Sequence, residues 1–371
     1  MTKPLNVLHI TFDMRIGGTE QVIRNLIESA NNDAFTMSIL CLESPLGPFG
    51  EALQDKGVSI TCLSRRAGID KELIKATRAI IRERKIDIVH CHQYTPWFYG
   101  TLATAFTNTK TIFTEHGRFY PDSTTWKRRV INPLLLTNTD AVTAISQATK
   151  QALTEFEFIA ENKIAVIYNG IVGLQPQNTA RKIRQQLGLS DKTLLLGTVA
   201  RLDPIKNHNM MLNAFKKVLD TGIDAKLVIV GDGEERANLE STIESLALTD
   251  NVILTGYITE PAAYLEAMDI YLLSSLSEGT SMTLLEAMSL YRPCVVTDAG
   301  GNPEIIEHGY NGLVTPNDDA QAYASAIIEL CNNADARSEM GKAARIRFEE
   351  RFSTASMTKS FEALYTALAQ H

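Results

Sequence analysis

The chain has 371 residues, 44% hydrophobic and 21% charged. That is an ordinary globular composition, and the length predicts about two domains because single cores stop growing near ~250–300 residues. No apolar run reaches the ~18 residues that suggest a membrane span, no signal-peptide pattern opens the chain, and five scattered cysteines support neither a disulfide framework nor a zinc site, which fits a reducing cytoplasm.

The net charge of −7 is unevenly spread. Residues 1–170 carry 19 Lys and Arg against 17 Asp and Glu, and the remainder carries 17 against 26. This split argues against nucleic acid as the main partner and leaves room for a basic surface on the first half alone.

In chain order, Asn6–Phe12 reads as a strand, Gly17-Gly18 as a tight turn and Glu20–Asn31 as an amphipathic helix, the opening of a βαβ unit. The glycine pair could bring backbone amides to a phosphate; without Gly-x-Gly-x-x-Gly spacing, a plain strand–helix turn reads equally well. Strands are expected at Phe35–Leu42, Val58–Leu63, Ile86–His90, Thr111–Thr114, Ala141–Ile145 and Ile164–Tyr168. Helices are expected near Glu51–Lys56, Asp70–Arg84, Trp97–Thr107, Trp126–Leu136 and Ser146–Phe156, the last capped by Ser146. Strict alternation of this kind predicts a parallel sheet covered on both faces, with ligands beyond the strand C-termini.

Asn169-Gly170, Gly173 and Pro176 break the pattern, and Ile171–Thr179 reads as a linker within a linker region of residues 171–190. Strands then follow at Thr193–Ala200, Ala225–Val230, Val252–Thr255, Ile270–Leu273, Pro293–Val296 and Gly312–Val314. Helices are expected at Asn207–Asp220, Glu234–Leu246, Pro261–Met268 and Thr283–Ser289, and three more close the chain at Asp319–Asn332, Asp335–Arg351 and Thr354–Ala369.

The stretch Ser277–Glu286 carries two carboxylates around small residues. Glu278 stands at the mouth of a strand and Glu286 inside the following helix. Gly279 and Ser281 allow a ligand to approach the backbone, and helix-start amides suit an anion. Acidic acceptors beside an anion site fit a ligand with both hydroxyls and phosphates, such as a nucleotide-sugar. Arg201 and Lys206, five residues apart after a strand, suit a diphosphate; two solvated surface cations is the alternative. His9 reads as a packing residue, His90 and His92 as structural or acceptor-side residues without further ligands near them, and His208 and His308 as surface positions. Trp97 and Trp126 fit packing or an interface.

Gly197-Thr198-Val199-Ala200-Arg201-Leu202, Lys206-Asn207, Val230-Gly231-Asp232-Gly233, Glu278 with Glu286, and Asp298–Glu304 followed by Gly309 and Gly312-Leu313-Val314 closely resemble the C-terminal half of retaining GT-B glycosyltransferases of family 4. Gly17-Gly18-Thr19-Glu20, Val89–His92, Thr114–Gly117 and Asn169-Gly170-Ile171 extend the resemblance over essentially the whole chain. The resemblance implies an α/β fold of two Rossmann-like doubly wound domains facing across a cleft. Residues 1–170 would form the acceptor-side domain, with helix 354–371 packing back on it, and residues 191–353 the nucleotide-sugar domain.

It further implies that Arg201 and Lys206 hold the donor diphosphate, Glu286 accepts from the ribose, and Glu278 accepts from the donor sugar. Gly279 and the backbone of Ser281, Met282, Thr283 and Leu284 would contact phosphate or sugar. Gly17 and Gly18 would approach the donor, His116 would position the reacting sugar, and Tyr257 would lie near the base. No cofactor or metal is implied, and no Asp-x-Asp motif occurs. Three positions depart from the family pattern: Thr280 where an aromatic is common, Ser281 for a glycine and Val172 for an aspartate.

Two basic stretches, Arg65–Lys85 and Phe119–Arg129, suit either an anionic membrane surface or a solvated face. The reading is a transferase moving a sugar from a UDP- or GDP-sugar to a glycan or polyprenyl-linked acceptor in cell-surface polysaccharide synthesis, cytoplasmic and peripheral at the inner face of the membrane. A sugar-nucleotide 2-epimerase and a transferase with a small soluble acceptor stay open. A two-lobed sugar-binding protein is the non-enzyme alternative.

Overall fold

A computed structural model describes residues 3–117, 124–190 and 192–370. The segment Phe119-Tyr120-Pro121 lies outside the described residues. Two α/β units are present, one formed by residues 1–170 with 354–371 and the other by residues 171–353.

The first unit contains β1 (Leu5–Thr11), β2 (Phe35–Cys41), β3 (Ser59–Cys62), β4 (Ile88–His92), β5 (Lys110–Glu115), β6 (Ala141–Ala144) and β7 (Ile164–Val166). They form one sheet in the order β3-β2-β1-β4-β5-β6-β7, every pair parallel. Val7, Leu8 and Ile10 are all fully buried although they point to opposite faces, because crossover helices cover both sides of such a sheet. Asp70 caps the helix Lys71–Glu83 by accepting from the amides of Glu72 and Leu73, and Ser146 caps Gln147–Glu157 through the Thr149 amide.

The closing helix Thr354–Ala369 belongs to this unit. Its Thr358 hydroxyl meets Ser29 at 2.6 Å, its Glu362 accepts from the Asn31 amide at 2.7 Å, and its Tyr365 hydroxyl pairs with His90 Nδ1 at 2.7 Å. Tyr365 and His90 are both fully buried, so Tyr365→Phe leaves an imidazole nitrogen unpartnered in the core. The expected cost is about 1–3 kcal/mol, read as a lower urea midpoint at unchanged slope; an unchanged midpoint contradicts it.

The second unit contains β8 (Leu194–Val199), β9 (Ala225–Val230), β10 (Val252–Gly256), β11 (Ile270–Leu273), β12 (Cys294–Thr297) and β13 (Gly312–Thr315). The order is β10-β9-β8-β11-β12-β13, again all parallel. Its core gathers Leu196, Leu212, Phe215, Leu227, Leu272 and Ile327, each fully buried.

Two sequence expectations need correction here. Residues 171–190 are not a free linker: they belong to the second unit and include the helix Ala180–Gln186. Arg184 of that helix donates to Asp269 at 2.9 Å and to the Ala267 carbonyl at 3.1 Å, and Thr179 donates to Glu266 at 2.6 Å. These anchors lie more than 80 residues away and leave no local periodicity to read. His208 is buried rather than on the surface. It opens the helix His208–Leu219 on the same 3.6-residue face as Met211, Leu212 and Phe215, and burial lowers its pKa to about 4.

Candidate active site

In each sheet the strand order reverses once, between β1 and β4 in the first unit and between β8 and β11 in the second. Ligands of open parallel sheets bind beyond the strand C-termini at such a reversal.

In the second unit two loops leave that point, Ala200–Asn207 after β8 and Ser274–Ser281 after β11. They are joined where Leu276 donates its amide to Ile205 O at 2.8 Å and Ser274 Oγ donates to the carbonyls of Lys206 at 2.8 Å and Asn207 at 3.1 Å. Asn207 adopts a left-handed backbone with φ +49°, which Asn tolerates better than most residues. The turn brings Lys206 Nζ to Glu278 Oε1 at 2.6 Å, and Ser275 Oγ donates to the same oxygen at 2.6 Å. Gly300 backs the Glu278 loop at φ +54°, where an added Cβ would lie 1.9 Å from the Glu278 carbonyl oxygen; only glycine fits.

Arg201 is exposed, and its guanidinium rests on Asp203 at 2.7 Å. Ser281 caps the helix Met282–Ser289 by accepting from the Leu284 amide at 3.4 Å. The Met282 and Thr283 amides, in its first turn, have no intrahelical acceptor. Thr283 Oγ1 is held by Tyr271 at 2.8 Å. Gly279 is half-buried in the same loop, and Tyr257 is exposed after β10. Glu286 is half-buried and its carboxylate has no hydrogen-bonding partner among the described residues; desolvation raises its pKa to about 7. The edge thus combines cations, helix-start amides and a carboxylate with unused acceptor capacity. That set can hold a diphosphate and a vicinal diol together.

In the first unit the helix Gly18–Ser29 starts directly after β1 and its connecting loop. A Cβ at Gly18 would meet nothing within 4 Å, whereas one at Gly17 would strike Glu20 Oε2 at 2.4 Å. Gln93, which follows β4, donates to Thr19 at 3.3 Å. Beside these lies a cluster of four histidines. His9 Nδ1 meets His92 Nε2 at 2.9 Å, and His92 Nδ1 meets His116 Nε2 at 2.8 Å. His90 bonds Tyr365 and the Thr114 hydroxyl, the latter at 2.6 Å.

His9 is fully buried, in keeping with its reading as a packing residue, while the reading of His90 and His92 as having no further ligands near them is corrected by His9 beside them. Register makes the difference: β1 pairs with β4, setting His9 beside His90, and β5 delivers His116 one strand further on. Strands paired across two intervening strands and their helices leave no sequence signal for that register. His9, His90 and His92 offer nitrogens within 4.8 Å of one another, a spacing compatible with a metal. Every ring nitrogen of the three except His9 Nε2 is already hydrogen-bonded, and burial lowers all three pKa values well below the usual histidine range, to about 3 for His9.

A cavity of about 570 Å³ opens in the first unit, lined by Leu5, Asp87, Asn108, Lys110 and Asp140. It lies at the strand N-termini, the edge opposite to ligand binding in such sheets.

Residues 16–172 match the family model described as Glycosyltransferase Family 4, and residues 179–347 match that of Glycosyl transferases group 1. The chain belongs to the family 4 glycosyltransferases. It is a GT-B enzyme that uses a nucleotide sugar. Among relatives of this glycosyltransferase, the N-acetyl-alpha-D-glucosaminyl L-malate synthase of Bacillus anthracis is 30% identical over 61% of the chain and 59% of that protein. The UDP-Gal:alpha-D-GlcNAc-diphosphoundecaprenol alpha-1,3-galactosyltransferase of Escherichia coli is 23% identical over 89% of the chain and 88% of that protein. Two solved structures share the fold. A glycosyltransferase from Rickettsia africae ESF-5 has a TM-score of 0.88 at 20% identity, covering 100% of both chains. Anabaena Alr3699/HepE in complex with UDP has a TM-score of 0.86 at 21% identity, covering 98% of this chain and 100% of that one.

Proposed function

We propose that this glycosyltransferase moves a sugar, with retention of anomeric configuration, from a UDP- or GDP-sugar to a polyprenyl-linked glycan in cell-surface polysaccharide synthesis. The observation that carries the donor half is the second unit's reversal point, where Lys206, Glu278 and the unpartnered Glu286 share one sheet edge. Lys206 and Arg201 hold the diphosphate and offset the charge of the departing nucleoside diphosphate. Glu286 accepts from the ribose hydroxyls, and Glu278 exchanges its Lys206 bond for hydroxyls of the sugar. Gly279 and the backbone of Ser281–Leu284 contact phosphate or sugar, and Tyr257 lies by the base. Gly17 and Gly18 approach the donor, and His116 positions the reacting sugar.

Attack on the donor carbon occurs from the leaving-group face, with the departing phosphate taking the acceptor's proton, so no protein nucleophile is assigned. No metal takes part, and turnover is expected to persist in EDTA. Nucleoside diphosphate release across a panel of sugar nucleotides, with the anomeric configuration of the product read by NMR, tests this reading. Release with none of them overturns it, and an inverted product overturns retention.

Two observations support the lipid-linked acceptor. The E. coli relative's name specifies a diphosphoundecaprenol acceptor. The helix Trp126–Leu136 exposes Trp126, Val130 and Leu134 at four-residue spacing, each more than half exposed. Lys127 and Arg129 flank that stripe on either side, while Arg128 points inward to Glu157 at 2.5 Å. An apolar ridge between cations matches a bilayer interface with anionic lipid. The other basic stretch fits less well, because Arg78 is spent on the carbonyls of Leu102 and Ala103 and Arg84 on Thr61. No described helix is long and apolar enough to cross a membrane. In this reading the association is peripheral, at the cytoplasmic face. The Trp126→Ser, Val130→Ser, Leu134→Ser triple variant is expected to lose flotation with anionic vesicles at low salt while keeping its melting temperature; equal flotation contradicts the surface.

A small soluble acceptor is the second reading, favoured by the L-malate named for the B. anthracis relative. It is tested by replacing the lipid acceptor with hydroxy acids in the same assay. Epimerised sugar in the absence of any acceptor would favour a 2-epimerase instead.

A further inference from the structure

Tyr271 lies in β11 and is fully buried. A phenylalanine there would fill the same space with no hydroxyl to desolvate. The hydroxyl has two partners. One is the side chain of Thr198 in β8, the strand on the other side of the reversal. The other is Thr283 Oγ1, at 2.8 Å, in the first turn of the helix Met282–Ser289.

Thr283 Oγ1 also meets Ser281 Oγ at 3.3 Å, and Ser281 Oγ accepts from the Leu284 amide at 3.4 Å. A chain of hydroxyls, Thr198–Tyr271–Thr283–Ser281, therefore runs from the two strands of the reversal into the helix start. Thr198, Tyr271 and Ser281 are buried, and Thr283 is half-buried. The Tyr271–Thr283 bond is shorter than either bond made by Ser281, so the sheet holds this turn more closely than its own cap does. Thr198 by itself satisfies the buried phenol. The second bond ties down a helix end, the part of a helix that otherwise frays.

That turn carries two donor-site features. The Met282 and Thr283 amides lie in it, free of intrahelical acceptors. Glu286 follows Thr283 by three residues, on the same helix face. The phenol is also close enough to Glu278 for that charge to act on it.

We propose that Tyr271 is a positioning residue for the donor, its hydroxyl fixing the first turn of the helix Met282–Ser289 so that the Met282 and Thr283 amides and the Glu286 carboxylate stand ready for diphosphate and ribose. This rests on the placement of the donor at the second unit's sheet edge. Tyr271 touches no substrate. It acts by ordering the turn before the donor arrives, which removes an ordering cost from binding.

The test titrates the full chain by calorimetry, well below its melting temperature, with the nucleoside diphosphate that the donor panel releases. Affinity should fall roughly three- to tenfold in Tyr271→Phe and in Thr283→Val, the value of one neutral hydrogen bond. Donor KM should rise by the same factor, with turnover at saturating donor falling less. Thr283→Ser keeps the hydroxyl and should bind close to the wild type. The Tyr271→Phe, Thr283→Val double variant should be no weaker than either single one, because both remove the same bond. A purely structural tyrosine would lower the melting temperature and leave the folded protein's affinity unchanged; that result in Tyr271→Phe overturns the proposal. So does a Thr283→Ser variant as weak as Thr283→Val. Should Tyr271→Phe fail to fold, the two Thr283 variants decide. Lys206→Ala is the control: weakened binding there with wild-type affinity in Tyr271→Phe keeps the donor site and overturns the role of Tyr271, whereas wild-type affinity in both overturns the donor placement and this proposal with it.

Discussion

Replacing Lys206 with alanine is expected to lower turnover by roughly 10²–10³-fold, the size of effect seen when one preorganised donor to a developing anion is removed. The substitution acts twice. It removes the cation that meets the departing diphosphate, and it strips Glu278 of a partner held at 2.6 Å, although Ser275 still donates to the same oxygen. Glu278's side chain is 9% exposed and that of Lys206 23%. The stability loss should therefore fall below the ~3–5 kcal/mol of a fully buried broken pair. Glu278→Gln separates the two effects: it keeps the hydrogen-bonding shape but not the charge. Single-turnover kinetics and thermal melts on both variants check this; wild-type turnover in Lys206→Ala removes the lysine from the site.

The second large effect belongs to Glu286. Burial raises its carboxyl from an ordinary 4.5 to about 7, with no compensating partner. A carboxyl whose folded-state pKa lies above its unfolded value resists ionisation in the native state. It therefore costs stability as pH rises from about 4.5 to about 7, fully above that window and not at all below it. Glu286→Gln should accordingly raise the melting temperature at pH 8 and leave it unchanged at pH 4. Donor binding runs the other way. A carboxylate accepting from ribose hydroxyls requires the charged form, so wild-type affinity should climb between pH 6 and pH 8. The Gln variant should bind about 10- to 100-fold more weakly at pH 8, the value of a hydrogen bond to a charged group, and show a flat profile. A variant that gains neither melting temperature nor a flat profile contradicts the assignment. The opposition of the two effects is the signature of a group kept for its ligand rather than for the fold.

Much of this was legible from residues alone, because the relevant signals are local. Alternating apolar runs and helical periodicity set the two doubly wound sheets. Ser146 announced its cap, and the five-residue and eight-residue spacings of Arg201–Lys206 and Glu278–Glu286 marked one strand-end cluster. What stayed hidden was set by long-range pairing. The Lys206–Glu278 bond spans 72 residues, and the His9–His92 link spans 83. The anchoring of residues 171–190 rests on Asp269 and Glu266. His208 was readable in retrospect, since it continues the apolar face of Met211, Leu212 and Phe215; a polar residue type outweighed its position. Trp126 showed the reverse: its exposed stripe with Val130 and Leu134 was present in the spacing, but only the burial of Asn132 and Leu135 reveals which face is free.

The central assignment, a nucleoside diphosphate held at the second unit's sheet edge, is tested most directly by titration calorimetry. The wild type, Lys206→Ala, Glu286→Gln and His116→Ala would each be titrated with the nucleoside diphosphate that the donor panel releases. Affinity should fall at least tenfold in the Lys206 and Glu286 variants and stay within about twofold in His116→Ala, because a histidine working at the sugar leaves the diphosphate and ribose contacts intact. Equal affinity in all four proteins would contradict the assignment.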